Sequence, residues 1–467
     1  MYNFNIKKRL INYLFLICFL NAFNSDIHWE LLDNQSLIDN SRMLKESVLN
    51  QKPSKFIDYN NISFKSEGYF LDKNPLYIAS LMFEGDISSF HYCINPIFVN
   101  KDNVKLILGN DYHRYNMGGS FENTFLRYNG SDFFISIGGQ PIRWGESSIS
   151  SIIHSGISPS FNKFLVNIEK YGFRFEMFSG QLNSAVSNSS DSDEGQRIKR
   201  FIAGHRLTWK FKKKISLSFG EQIIYSGLNR GLEMAYLNPF MPFFVVGLEN
   251  KENEFNTING GDNDNSMLFL HGRFNLNKFM SIYSELIIDD YQIDKTIRDN
   301  QSGFTIGLDG IWKDNSRFVW AFEWTKIDPW TYLHQGQFTN WTHKDHPIGY
   351  HFGLDLENFQ FHFKYKINNN LDLISNFNYL RKGPNSFESN WENNNQEDQN
   401  IENEYFFVNS LSIIKKLNNL MLKIGFSNNL IKNDFAIINN NINQKNNFFI
   451  GLSYFFNTKK VLNKNND

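Results

Sequence analysis

The sequence predicts an all-β fold: a large antiparallel transmembrane β-barrel of about 18 strands, with a short N-terminal helical segment on its periplasmic side. Three observations lead there: an export signal at the start of the chain, strand-period alternation of aromatic and polar residues, and short turns that alternate with long polar loops. The alternation is clearest in Arg317 to Lys326, reading RFVWAFEWTK, where Phe318, Trp320, Phe322 and Trp324 occupy every second position. Arg317, Val319, Ala321, Glu323 and Thr325 lie between them. A period of two makes a strand with two faces, one greasy and one small or charged. In an exported chain the greasy face suits lipid and the other a lumen.

Composition narrows the class. The chain has 467 residues, a net charge of -1, 41% apolar and 16% aromatic residues, 47 Phe and only 10 Pro. The charge balance gives no reason to expect a nucleic-acid partner, and the polar content is too high for a helical membrane protein. Aromatic strands separated by polar turns suit a barrel.

The elements follow in order. In residues 1–25, Lys7, Lys8 and Arg9 precede the short apolar stretch Leu10 to Leu20, and Ala22 to Ser25 offer small residues for cleavage. This is a signal-peptide pattern, too short to span a membrane. After cleavage Cys93 is the one cysteine left, so no internal disulfide forms. In residues 26–61, Leu37, Leu44 and Val48 fall on one helical face, which predicts a helical segment able to plug one end of the barrel.

Residues 62–456 are expected to form the barrel. Tyr171, Phe173, Phe175 and Met177 alternate with Gly172, Arg174 and Glu176. Leu207, Trp209 and Phe211 oppose Arg206, Thr208 and Lys210, with His205 out of place on the apolar side. Phe359, Phe361, Phe363 and Tyr365 oppose Gln360, His362, Lys364 and Lys366. Lys212 to Lys214, Lys313 to Asn315 and Asn368 to Asn370 read as hairpin turns. The stretches 183–196, 250–265, 334–348 and 382–403 read as long loops at the other end. The last strand is read as Phe448 to Phe456, resembling an aromatic barrel-insertion signal, with 457–467 as a polar tail.

The chemistry is that of binding, not catalysis. Asp289 and Asp290 are adjacent on a strand and point to opposite faces, so they do not form a catalytic pair. Glu221, Glu285, Glu323, Arg206 and Arg317 are placed on lumen faces, where interlocking charges offset one another's burial. Arg143, Trp144, Trp330, Tyr332 and Trp341 lie in loops. Aromatic faces stack on sugar rings and Arg pairs with uronate or phosphate groups, although an interfacial aromatic girdle uses the same residue types. His334, His343, His346 and His351 fit no metal-ligand spacing, and no nucleophile elbow, phosphate loop or dinucleotide fingerprint occurs. No cofactor or metal is expected.

Several segments resemble the outer-membrane capsule-assembly family called Wzi. They are Gly139 to Gly145 (GQPIRWG), the serine-rich Ser150 to Phe161, Gly204-His205-Arg206-Leu207 with Trp209, and Glu221 with Ile223 to Tyr225. Tyr236-Leu237-Asn238-Pro239, Asp289-Asp290, Glu323 through Asp328 to Tyr332, and Pro347 to Asp355 follow in the family's order. The resemblance spans about Gly139 to Asp355, and departs from the family pattern at Glu146 and Tyr350. It implies an outer-membrane protein that binds surface or capsular polysaccharide without catalysis, with lipid and glycan as partners. The glycan candidates are Arg143, Trp144, Arg206, Glu221, Glu323, Trp330 and Tyr332. The alternation alone would equally serve an outer-membrane porin or substrate-specific channel.

Overall fold

The computed structural model describes residues 59–71, 74–101, 104–109, 113–186, 197–212, 214–246, 264–290, 301–312, 317–334, 337–389, 403–432 and 443–461. The signal segment and the helical segment expected before residue 59 lie outside the described residues.

Among the described residues, 18 strands form one closed antiparallel barrel. They are β1 (Tyr59–Leu71), β2 (Asn74–Ile87), β3 (Phe90–Asn100), β4 (Met117–Asn129), β5 (Phe133–Gln140) and β6 (Phe161–Lys170). Then come β7 (Phe173–Gln181), β8 (Arg197–Phe211), β9 (Ile215–Gly227), β10 (Asn265–Asn275), β11 (Met280–Asp290) and β12 (Gln301–Ile311). The last six are β13 (Phe318–Ile327), β14 (Leu356–Asn368), β15 (Leu371–Lys382), β16 (Glu404–Leu417), β17 (Leu420–Lys432) and β18 (Asn443–Val461). β18 returns to β1, with Val461 opposite Tyr59 and Phe449 opposite Leu71. Closure leaves no edge with unpaired backbone groups, which is what a sheet in hydrocarbon requires. Pairing runs beyond Phe456, so the first residues of the expected tail, Asn457 to Val461, belong to the closing strand.

The two ends differ. Residues 88–89, 171–172, 369–370 and 418–419 join strands at one end, where β1 begins and β18 finishes. Tyr171 and Gly172 both have positive φ, 53° and 83°, the geometry of a type I′ hairpin turn that matches strand twist. At the other end, 141–160, 182–196, 228–264, 328–355 and 383–403 are long. By the asymmetry of outer-membrane barrels, the short-turn end is periplasmic.

β13 carries the predicted faces. Phe318, Trp320, Phe322 and Trp324 point outward, while Ala321, Glu323 and Thr325 point inward and are buried. The outward rings form a lattice across strands: Trp324 stacks on Phe359 at 5.8 Å and meets the edge of Phe304 at 5.0 Å.

Apolar cores lie on both sides of the barrel wall. Inside, loops 141–160 and 328–355 pack Ile142, Trp144, Ile152, Tyr332, Trp341 and Ile348 against inward Phe178, Ile202, Ile224 and Phe269. Outside, Tyr236, Phe243 and Val246 cover Phe201, Ala203, Ile223 and Tyr225. Among the described residues, loops from the long-loop end thus fold into the lumen.

A charge on the outward face of β13 should cost far more than a small polar change on its inner face. Phe322→Arg places a cation on the lipid face and should destabilise the barrel by about 2–4 kcal/mol. Replacement of Thr325 by Ser, on the inner face, should change stability by less than about 1 kcal/mol. Urea unfolding in lipid vesicles, followed by the gel shift of the folded barrel, measures both; equal effects would contradict the assignment of faces.

Candidate functional site

The interior is organised by two wall carboxylates. Glu285 on β11 and Glu323 on β13 are both inward and buried. Glu285 accepts the Ser147 N–H at 2.6 Å, the Ile152 N–H at 2.9 Å and the Ser151 hydroxyl at 2.8 Å. Glu323 accepts the Ser147 hydroxyl at 2.6 Å, the Ile149 N–H at 2.8 Å and the Tyr283 hydroxyl at 2.7 Å. The loop Ser147 to Ile152, which leaves β5 and returns to β6, is thereby held against strands well around the barrel. Its small serines let the backbone approach, and its N–H groups supply the charge-assisted bonds that a buried carboxylate needs. Gly145, at φ 122°, begins this crossing; a Cβ there would collide with the Ser151 hydroxyl and the Glu285 carboxylate.

The opposite polarity is met by Arg200 on β8. Its guanidinium donates to the carbonyls of Phe338, Asn340 and Thr342 at 2.6, 2.7 and 3.0 Å. Asp289 on β11 accepts the Tyr332 N–H at 2.6 Å, and the Tyr332 hydroxyl donates to the Ile152 carbonyl at 2.5 Å. The two loops are thus bonded to the wall and to each other, including Ser155 N–H to the Ile348 carbonyl at 3.2 Å. Burial keeps the His154 imidazole neutral, pushed down to about 3. It meets the Trp144 ring edge-on at 5.6 Å.

Beneath this plug, toward the short-turn end, lies a cavity of about 440 Å³. Arg143, Arg174, Arg206, Lys210 and Arg273 line it, with His271, Glu146 and the hydroxyls of Ser148, Thr208, Ser216 and Ser218. Four of these cations are braced by carboxylates, and Arg143 donates to the Ser147 carbonyl of its own loop. Arg273 bonds Asp309 at 2.8 Å and Glu146 at 3.1 Å. Arg174 and Lys210 share Glu169 at 2.6 and 3.0 Å. Arg206 bonds Glu176 at 2.5 Å, and its guanidinium lies 5.0 Å above the Trp144 ring. Burial raises the Glu146 carboxyl, but His271, Arg273 and Ser216 outweigh it and hold the group below the usual carboxylate range.

The seven sequence candidates separate into three places. Arg143 and Arg206 line the cavity. Trp144, Tyr332 and Glu323 are buried in the plug and its anchor, and Trp330 packs against the same core. The loop aromatics Trp144, Tyr332 and Trp341 therefore form neither a membrane girdle nor a loop-surface patch; they are the interior core. Glu221 corrects its expected lumen position. It pairs in register with His205 on the face that carries Leu207, Trp209 and Phe219, so it points outward. The misplaced His205 was the signal for this, because register puts the two groups side by side. Arg174, Lys210, His271 and Arg273 were not singled out, although they occupy alternate positions on strands that end at short turns.

A scan against family models finds no match, and neither does a search of curated proteins. Among solved structures, the barrel is similar to Wzi of Escherichia coli, an outer membrane protein involved in group 1 capsule assembly and a carbohydrate-binding β-barrel. The identity is 12% over 90% of this chain and 88% of that one, with a TM-score of 0.57. It is also similar to Pseudomonas aeruginosa OccK3 (OpdO), at 11% identity over 86% and 96% of the two chains and a TM-score of 0.45. Acinetobacter baumannii OccAB4 matches at 8% identity over 87% and 100%, with a TM-score of 0.48. The likeness is one of fold, an outer-membrane β-barrel.

Two outcomes follow. Glu285→Ala strands two buried N–H groups and a hydroxyl, at about 1–3 kcal/mol for each unmet group, so the loop should detach. In planar bilayers the variant should pass more current than the parent, and equal currents would refute the anchoring role. Glu146 has a depressed folded pKa, so its contribution to stability is present above the ordinary carboxylate range and fades as pH falls through the lowered value. Thermal unfolding should therefore lose stability below about pH 4, and Glu146→Gln should flatten that slope.

Proposed function

We propose that the protein is a non-catalytic outer-membrane barrel that binds an acidic surface polysaccharide during its assembly at, or attachment to, the cell. The observation that carries this reading is the braced cluster of Arg143, Arg174, Arg206, Lys210 and Arg273 around one cavity. Guanidinium groups recognise uronate or phosphate groups by paired hydrogen bonds, and here wall carboxylates hold Arg174, Arg206 and Arg273 in fixed directions around the cavity. The serine and threonine hydroxyls beside them suit sugar hydroxyls. The volume falls in the usual range for small-ligand sites.

Arg143 and Arg206 are the ligand contacts among the sequence candidates. Trp144, Glu323, Trp330 and Tyr332 act by holding the plug that roofs the cavity. Wzi, whose fold the chain shares, is a carbohydrate-binding barrel, and the same use suits this arrangement. The cavity faces the short-turn end, the side from which a polysaccharide built inside the cell arrives. The packing of loops 141–160 and 328–355 inside the lumen supports a binding role over free passage.

Detergent-purified protein should bind an oligosaccharide containing uronic acid more tightly than its neutral counterpart in calorimetry. Arg206→Ala or Arg273→Ala should weaken binding by about 10- to 100-fold, the loss of one charged hydrogen-bond partner. Equal affinity for charged and neutral glycans, or deletion strains that keep all their cell-attached polysaccharide, would reject the proposal.

A further inference from the structure

The outer wall of β8 and β9 bears a polar carboxyl–imidazole pair where lipid contact is expected. Glu221 and His205 face each other across the strands, with Oε1 and Nε2 3.0 Å apart. On the same face, just toward the short-turn end, Leu207, Trp209, Leu217 and Phe219 are exposed, and Leu268 of β10 lies beside Glu221. A carboxylate and an imidazole bare to hydrocarbon at this position would be strongly unfavourable.

The chain itself covers them. Segment 228–246 leaves the top of β9 and folds back down the outside of the barrel. The Phe243 N–H donates to Glu221 Oε1 at 3.0 Å, and the Phe243 ring lies 4.6 Å from the His205 ring. Tyr236, Phe243 and Val246 pack on the outward side chains of Phe201, Ala203, Ile223 and Tyr225. Glu221 lies six positions before Gly227, the end of β9, so the segment reaches back about 20 Å along the strand. It is pinned at its base, where Arg230 pairs with Asp264 and with Glu233 at 2.7 Å, and the Tyr236 hydroxyl bonds Asp264 at 2.5 Å.

The far side of this flap has no partner of its own among the described residues. Phe240 is 92% exposed, Met234 79% and Phe244 60%, with Leu232 and Val245 also exposed. From Met234 to Val246 the sequence MAYLNPFMPFFVV contains no charged residue. A loop standing in water would not gather its largest apolar groups outward in this way.

We propose that segment 228–246 is a lipid-facing flap whose partner is the acyl chains of the outer leaflet, and that it seals the Glu221–His205 pair from them. Two features select lipid as the occupant. The exposed face is continuous with the lipid-facing band of Phe219 and Leu268, and it is free of charge. The flap makes one sector of the barrel thicker and more apolar than the rest of its rim.

Site-directed spin labelling tests this. F240C and M234C, each with Cys93 and Cys18 replaced by Ser, would carry a nitroxide in phosphatidylcholine vesicles. F219C on the bare wall and Y115C in loop 101–116 serve as lipid and water references. The flap labels should collide with oxygen more than with a water-soluble nickel chelate, as at F219C. Nickel accessibility matching Y115C would overturn the proposal. So would shielding from both reagents, the mark of a protein partner or a second copy. Intact gel mobility of the folded barrel, checked for each variant, keeps misfolding from imitating either result.

Discussion

Two buried carboxylates facing a serine-rich loop are the constraint on which this structure depends. A barrel of 18 strands encloses more space than its inward side chains fill, and something must cross it. A crossing backbone brings N–H and C=O groups into a dry interior, where each must find a partner. Glu285 and Glu323 supply acceptors for the N–H groups and hydroxyls of Ser147 to Ile152. Arg200 supplies donors for the carbonyls of the second loop. Polar groups on the wall therefore determine where the loops lie, and the apolar groups of those loops, Trp144, Tyr332 and Trp341, then close the core around them.

The cavity is a consequence of the same arrangement. Gly145 turns the first loop away from the wall, so Glu146 and Ser148 hang below the plug and meet Arg273. The Trp144 ring lies against the guanidinium of Arg206 and packs on Phe178 and Phe269. Roof and floor are thus linked through adjacent residues of one loop. The arginine cluster and the plug are coupled in this geometry, because Glu146 belongs to the loop and Arg273 to the wall.

Much of the fold was legible in the sequence, because hydrocarbon imposes a period of two on every strand and leaves no exception for a long apolar run. RFVWAFEWTK shows both faces of β13, and the strand number follows from repeats of that pattern. The interior was less legible. Aromatic residues in loops read as girdle or glycan contacts, since nothing local says that a loop 20 residues long will turn inward; the deciding partners, Glu285 and Glu323, lie more than 130 positions away from Ser147. Glu221 read as a lumen residue for the reason that charge is normally expelled from the lipid face. Only the cover provided by Phe243, 22 positions later, makes the outward position tenable. The cavity cations were visible as the polar halves of alternating strands, but their convergence depends on register and on barrel closure.

Hydrogen exchange at the amides of Ser147, Ile149 and Ile152 tests the central claim most directly. These three N–H groups lie in a loop without ladder bonds, and their protection rests on the two carboxylates. The account predicts exchange as slow as that of the barrel strands, with Glu285→Ala and Glu323→Ala releasing the amides that each carboxylate holds. Rapid exchange of all three in the parent protein, at the rate of an open loop, would contradict it.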